Sequence, residues 1–382
     1  MPFITCSLFG TPPEDGAPPW PTFQPLAPWY IQGHEDLWVD IEHVPAALHT
    51  FRRELGRMAH TIKPRQDGRG HLVVVSGLRG TGKSSLLHMC VHELVGWLDE
   101  AAQEPTAATG PEGGEEQQSW CRRDPATTVH VVPVGGIQNK GGDLESSRSG
   151  RREAPQLHTV TERIFRTVVD QLNKDPEFAA ARGPNIDSPD HYLAWRALTD
   201  ALATTGRRLA VIVPHIRWDN DTSAWEFLRF CHKKADRGVV FFVETEYTRL
   251  EAELKVIFDE RERRGVTLLK TDKLESADWG KYLRHWMEIE DIPGPRVTIT
   301  DDLLEYEPAA WVFVSISKLQ DCLRRAAEEA VDAHEGHLGR KRMVLWFNQN
   351  KPNPDDFLKE PPNLADFERE HPDSEEDRRD EP

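Results

Sequence analysis

Cysteine, methionine and tyrosine are scarce in this chain, five of each among 382 residues. Cys6, Cys90, Cys121, Cys231 and Cys322 stand apart with no CxxC pair, which excludes a disulfide framework and a cysteine-based zinc site and fits a reducing compartment. No apolar run approaches the roughly 18–20 residues that cross a bilayer, so no membrane span is expected. The start MPFITCSLFG lacks the charged region of an export signal, and the expectation is a cytoplasmic chain. Positive charge is short as well: 47 Lys+Arg against 64 Asp+Glu leave a net charge of -17, which opposes non-specific binding to nucleic acid or anionic lipid. Residues 355–382 hold 12 acidic and 4 basic side chains, so the remainder is only moderately acidic and leaves room for a local basic surface.

A content of 38% hydrophobic residues supports a sizeable core and two or three domains. Residues 1–30 combine Pro12, Pro13, Pro18, Pro19, Pro21, Pro25 and Pro28 with Trp20, Phe23, Trp29 and Tyr30, a composition for extended chain with aromatic anchors. From Glu35 to His60 apolar residues recur every three or four positions, a helical pattern broken near Pro45. Short apolar runs at His71–Ser76, Thr128–Val134, Leu209–Val213, Val239–Val243 and Val266–Lys270 alternate with helical patterns at 83–98, 157–173, 191–205, 223–237 and 247–264. That alternation predicts a three-layer α/β fold with a parallel sheet. Residues 99–127 and 138–155 have no periodicity and read as insertions. Helical patterns at 277–290 and 315–334 predict a helical lid over 276–347, after the main domain 31–275. Beyond residue 348 the Pro-rich acidic tail is expected to be disordered.

Directly after the first of these strands stands Gly77-Leu78-Arg79-Gly80-Thr81-Gly82-Lys83-Ser84, followed by Ser85. It is a full match to the phosphate-loop pattern G-x-x-x-x-G-K-[ST]. The glycines let successive backbone N–H groups curl around phosphate oxygens, and the following helix adds its positive end. Lys83 is placed for the β- and γ-phosphates and Ser84 for Mg²⁺, so ATP with Mg²⁺ is the expected ligand.

Hydrolysis normally needs an acid at the end of a second apolar strand. The strand Leu209–Val213 ends in Pro214 and His215 instead. Asp219 and Asp221 follow at a distance and read as helix-capping acids. The strand after it runs through Phe242 and Val243 into Glu244, which is a candidate to replace the missing acid at the γ-phosphate.

This order of parts resembles the AAA+ superfamily, above all its initiator-like branch, and the related STAND signalling ATPases; the resemblance covers residues 25–335. It implies an adenine-contacting box at Tyr30–Leu37, with His34 in place of arginine. It also implies a sensor at Glu244 and Thr245, an arginine finger at Arg263 or Arg264 acting across a subunit interface, and a link into the lid at 274–278. Within Ser315-Ile316-Ser317-Lys318 it implies a second sensor cation at Lys318. From the dipole alone, cations closing a helix account equally for Arg263 and Arg264. The replacement of the strand-end acid departs from the family and leaves slow or partner-stimulated hydrolysis in question. The functional expectation is a nucleotide-dependent regulatory switch that self-associates and engages a protein effector, in a bacterial defence or mobile-element setting that rests on the resemblance. A non-hydrolysing scaffold and an initiator-like DNA-binding protein stay open beside it.

Other constellations carry less. His88 and His92 are four apart with Cys90 between them, but no third metal ligand follows. His334 and His337 do not form HExxH. Lys140, Arg148, Arg151 and Arg152 lie in an insertion and read as a solvated loop. Gly339–Phe347 joins basic to apolar residues, either for docking or for packing on the lid.

Overall fold

The computed structural model describes residues 3–5, 26–30, 34–41, 43–62, 70–78, 80–103, 129–134, 156–218, 220–246, 250–272, 278–288, 296–304, 323, 326–327, 329–330 and 337–338. The chain divides into a larger unit, Phe23–Gly77 with Gly82–Asp272, and a smaller one that includes Met1–Thr22, Leu78–Thr81 and Lys273–Pro382.

In chain order the first strand, β1 (Phe3–Thr5), belongs to the smaller unit. The larger unit then runs α1 (His43–Thr61), β2 (His71–Gly77), α2 (Lys83–Gln103), β3 (Val129–Pro133), α3 (Leu157–Leu172), α4 (Pro176–Ala181), α5 (His191–Thr205), β4 (Arg208–Val213), α6 (Asp221–Lys234), β5 (Val239–Thr245), α7 (Leu250–Ile257) and β6 (Val266–Thr271). Its five strands form one all-parallel sheet in the order β3-β4-β5-β2-β6. The expected α/β parallel-sheet architecture is therefore present, with β5 lying between β2 and β4.

Leu72, Val73, Val74 and Val75 are completely buried, as a strand covered on both faces requires. Register sets Leu72 opposite Phe241 and Val73 opposite Phe242. Leu72, Val74, Phe241 and Val243 join one core with Val160, Ile164, Trp195 and Phe227 of α3, α5 and α6. Phe242 points the other way, its ring 6.2 Å from Phe51 of α1. Strand alternation then puts Glu244 on that second face as well, opposite Val75 in register.

Several boundaries differ from the sequence reading. Helix α1 begins at His43, so Pro45 sits in its first turn, where a missing N–H is harmless. Helix α2 continues to Gln103, past the predicted end at Leu98. The single charged helix expected over 247–264 is instead α7 followed by a 3₁₀ turn, Glu262–Gly265. Asp259 explains the break, because its carboxylate accepts from the N–H groups of Arg261 at 2.8 Å and Glu262 at 2.7 Å and so competes with helical bonding. Helix α4 and the 3₁₀ turn Pro184–Asp187 were not foreseen.

The smaller unit continues with α8 (Asp278–Glu288), β7 (Arg296–Ile299), α9 (Asp301–Leu304) and β8 (His337–Leu338). Trp279 is buried and donates from Nε1 to the Leu303 carbonyl at 2.8 Å. Leu323, Ala326, Ala327 and Ala330 are helical and buried, within the helix predicted at 315–334. The reading held no strand here, yet β1 pairs antiparallel with β7, and β7 parallel with β8. Among the described residues no helix is long and apolar enough to cross a membrane.

Candidate nucleotide-binding site

The site is built where β2 hands over to α2. A Cβ on Gly77 would lie 2.0 Å from Thr271 Oγ1 and 2.5 Å from the Thr271 carbonyl, so β6 can pair this closely with β2 only past a glycine. Gly80 and Gly82 have φ of 79° and 87°, left-handed values that open the turn and that other residues resist. Thr81 closes the turn, its hydroxyl donating to the Leu78 carbonyl at 2.8 Å. Helix α2 then starts at Lys83, with first-turn N–H groups that lack intrahelical partners.

Lys83 is 3% exposed, and its Nζ lies 3.7 Å from Glu244 Oε1. The adjacent Ser84 donates from Oγ to Glu244 Oε2 at 2.5 Å. The predicted phosphate lysine, metal-side hydroxyl and candidate acid are thus brought together in one cluster. Glu244 reaches it because β5 neighbours β2 and because residue 244 shares the α2 side of the sheet with Phe242. Serine hydroxyl and glutamate carboxylate are hard oxygen donors that fit Mg²⁺, which commonly needs one or two protein ligands beside phosphates and water. Among the described residues no group of three or more His, Cys, Asp or Glu is arranged to hold a metal by itself.

Where a strand-end acid was expected, Pro214 is buried and His215 stands at 3.6 Å from Glu246. Asn220 caps α6, accepting from Ser223 N–H at 2.9 Å, with Asp221 in the first turn. Asp219 lies outside the described residues.

On the flank of α2, Leu26 N–H donates to Ser85 Oγ at 3.1 Å, and Trp29 Nε1 donates to His88 Nδ1 at 2.8 Å. Trp29 also stacks on His88, with centroids 5.9 Å apart. Sequence reasoning missed these two bonds. The aromatic anchors in a proline-rich segment were the available signal. His88 is buried, which lowers its pKa to about 4. His34 is buried too, its Nδ1 accepting from Ala27 N–H at 3.0 Å. Burial lowers its pKa, against the nearby Glu35 charge that raises it. Tyr30 is exposed.

Arg263 and Arg264 are not brought to this cluster. They precede β6, whereas the phosphate loop follows the far end of the parallel strand β2. Six residues of strand span about 20 Å. Both arginines line an open hollow of 480 Å³ with Thr50, Glu54 and Arg57 of α1. Arg263 Nε is buried and makes no hydrogen bond among the described residues. Arg79, residues 31–33, 274–277, Lys318 with its Ser315–Ser317 motif, the basic run at 140–152, Gly339–Phe347 and the acidic tail lie outside the described residues.

No family model matches the chain, and no curated protein does. Solved structures similar to it include ORC and Cdc6 proteins. The Aeropyrum pernix ORC2 protein in its ADP form is 14% identical over 91% of this chain and 73% of that one, with a TM-score of 0.49. Cdc6p from Pyrobaculum aerophilum is 12% identical over 91% and 72%, with a TM-score of 0.45. Drosophila ORC bound to DNA is 11% identical over 90% and 70%, with a TM-score of 0.41. The fold assignment rests on the parallel strand order and on the glycine loop between β2 and α2.

Proposed function

We propose that this chain binds ATP with Mg²⁺ at the loop Gly77–Ser84 and uses the bound state to set its conformation and its association with a partner. One observation carries the reading: a buried lysine and a serine open a helix directly after a glycine turn, and both meet a single carboxylate from the adjoining strand. Glu244 gives this buried ammonium an opposite charge in the nucleotide-free chain, and a triphosphate would offer it a stronger one while capping the helix N-terminus.

The reading is tested by calorimetric titration with ATP and Mg²⁺. Saturable binding is expected, and Lys83→Ala should weaken it by about 100-fold, since a charge-assisted phosphate contact contributes roughly 2–3 kcal/mol. Absence of binding to the wild-type chain refutes the proposal. Turnover is a separate matter. Pro214 and His215 at the end of β4 favour a second reading, a scaffold that retains ATP without releasing phosphate. Release abolished by Lys83→Ala supports the switch with slow hydrolysis; bound ATP without release supports the scaffold.

A further inference from the structure

We infer that Glu244 is the carboxylate through which this chain takes the divalent cation of its nucleotide, shared with the Ser84 hydroxyl, and that ATP affinity is gated by that cation. The inference rests on the ATP-binding reading and specifies the chemistry of the same site.

The two residues directly after β4 offer no acid: Pro214 is buried and His215 faces Glu246. The strand between β4 and β2 offers one. Glu244 lies on the α2 side of the sheet, and one of its oxygens already engages the hydroxyl of Ser84. Helix α2 has no acidic residue in its own first turn, so a strand carboxylate brings negative charge to a helix start that favours it. Glu246, two residues on, is engaged with His215 instead.

The second oxygen of Glu244 sets the gate. It lies 3.7 Å from Lys83 Nζ, with both side chains largely buried. A triphosphate arriving without a cation meets this carboxylate as a like charge and competes with it for the lysine. Glu244 and Ser84 would hold the cation through their oxygens, which would leave Lys83 to the phosphates. The nucleotide-free pairing therefore holds the buried lysine charge satisfied and penalises metal-free ATP.

The test is calorimetric ATP affinity in Mg²⁺ and in EDTA, measured for the wild-type chain, Glu244→Gln and Glu246→Gln, with thermal melts confirming folding. Wild-type affinity should rise about 30-fold or more with Mg²⁺, while Glu244→Gln should shrink that ratio to about threefold or less, by loss of one metal ligand and by tighter binding in EDTA. Glu246→Gln should keep the wild-type ratio. Should Glu244→Gln not fold, Glu244→Asp, which withdraws the carboxylate by one methylene, should cut the ratio about fivefold or more. A wild-type ratio in the Glu244 variant, or loss of the ratio in Glu246→Gln in its place, overturns the inference. A wild-type chain that binds ATP equally with and without Mg²⁺ overturns it as well. A wild-type chain that binds no ATP in either buffer refutes the parent proposal instead.

Discussion

The two ends of the five-stranded sheet both bury polar side chains, but they satisfy them differently. At the end where the strands begin, His71 on β2 bonds Thr267 on β6 at 2.8 Å, His232 donates to the Glu262 carbonyl at 3.1 Å, and Arg208 donates to the Ile62 carbonyl at 3.0 Å. Backbone carbonyls and a neutral hydroxyl have no other use, so these bonds stitch strands and turns together. At the end where the strands finish, Lys83, Ser84 and Glu244 engage one another through their side chains. Those partners are exchangeable: each has a stronger one in a phosphate or a cation. Buried polarity that holds strands and turns to one another marks structure, and buried charge that a ligand could take over marks a candidate site. Arg263 breaks the pattern at the first end, since its buried Nε makes no bond among the described residues.

Acid is the strongest way to strain the stitched end. Burial holds the His71 pKa down at about 4, from an ordinary 6.5, with the neighbouring His232 contributing in the same direction. Between those values the unfolded chain binds more protons than the folded one, so stability is complete above pH 6.5 and falls as pH drops toward 4. The shift corresponds to about 3 kcal/mol at most, and His88 adds a similar amount over the same window. Urea midpoints measured from pH 7 to pH 5, above most carboxylate titrations, should fall steadily. His71→Asn keeps a group able to bond Thr267 and should flatten that fall. A slope unchanged by the substitution would break the assignment of His71 as a neutral structural group.

Gly77 tests the other end by a steric route. Any Cβ there meets the Thr271 side chain and carbonyl, and the hydroxyl of Thr271 also donates to the Ser76 carbonyl at 3.4 Å. Gly77→Ala must therefore push β6 from β2, at a cost of about 2 kcal/mol. A compensating Thr271→Gly would remove the Oγ1 clash and leave the carbonyl clash, recovering part of the loss in a denaturant titration.

How far each end could be read from sequence follows the same division. The five strands were legible because continuous apolar runs such as Leu72–Val75 allow little else. The phosphate loop was legible because its glycines and Lys83 are contiguous. Glu244 was legible as a candidate, since it directly continues the Phe242–Val243 run, but the side of the sheet it takes needed the register with Val75. The break between α7 and the 3₁₀ turn was hidden, because one Asp259 side chain outbids a pattern that otherwise favours helix through Arg264. The bonds from Leu26 to Ser85 and from Trp29 to His88 join residues 59 positions apart, and no local pattern encodes such a pairing. The three-stranded sheet of the smaller unit was missed for a related reason: β1 and β7 are only three and four residues long and are distant in sequence.

The smallest predicted effect is the one that separates the two ends by sign. A group that stabilises the fold lowers stability when it is replaced by a shape-matched neutral one. A buried ion pair kept for binding need not, because the desolvation of both charges offsets their attraction, and neutral replacements of similar volume are often neutral or stabilising. Lys83→Met combined with Glu244→Gln removes both charges while nearly preserving volume, and the glutamine can still accept from Ser84 Oγ. Thermal and urea unfolding should show the double variant more stable than the wild-type chain by about 1 kcal/mol, with ATP binding lost. Lys83→Met alone should be less stable than the pair, because it strands the Glu244 carboxylate, only 10% exposed, against an apolar neighbour. A double variant clearly less stable than the wild-type chain would place Lys83 and Glu244 with His71 and Thr267 as structural stitching, and the contrast between the two ends of the sheet would be lost.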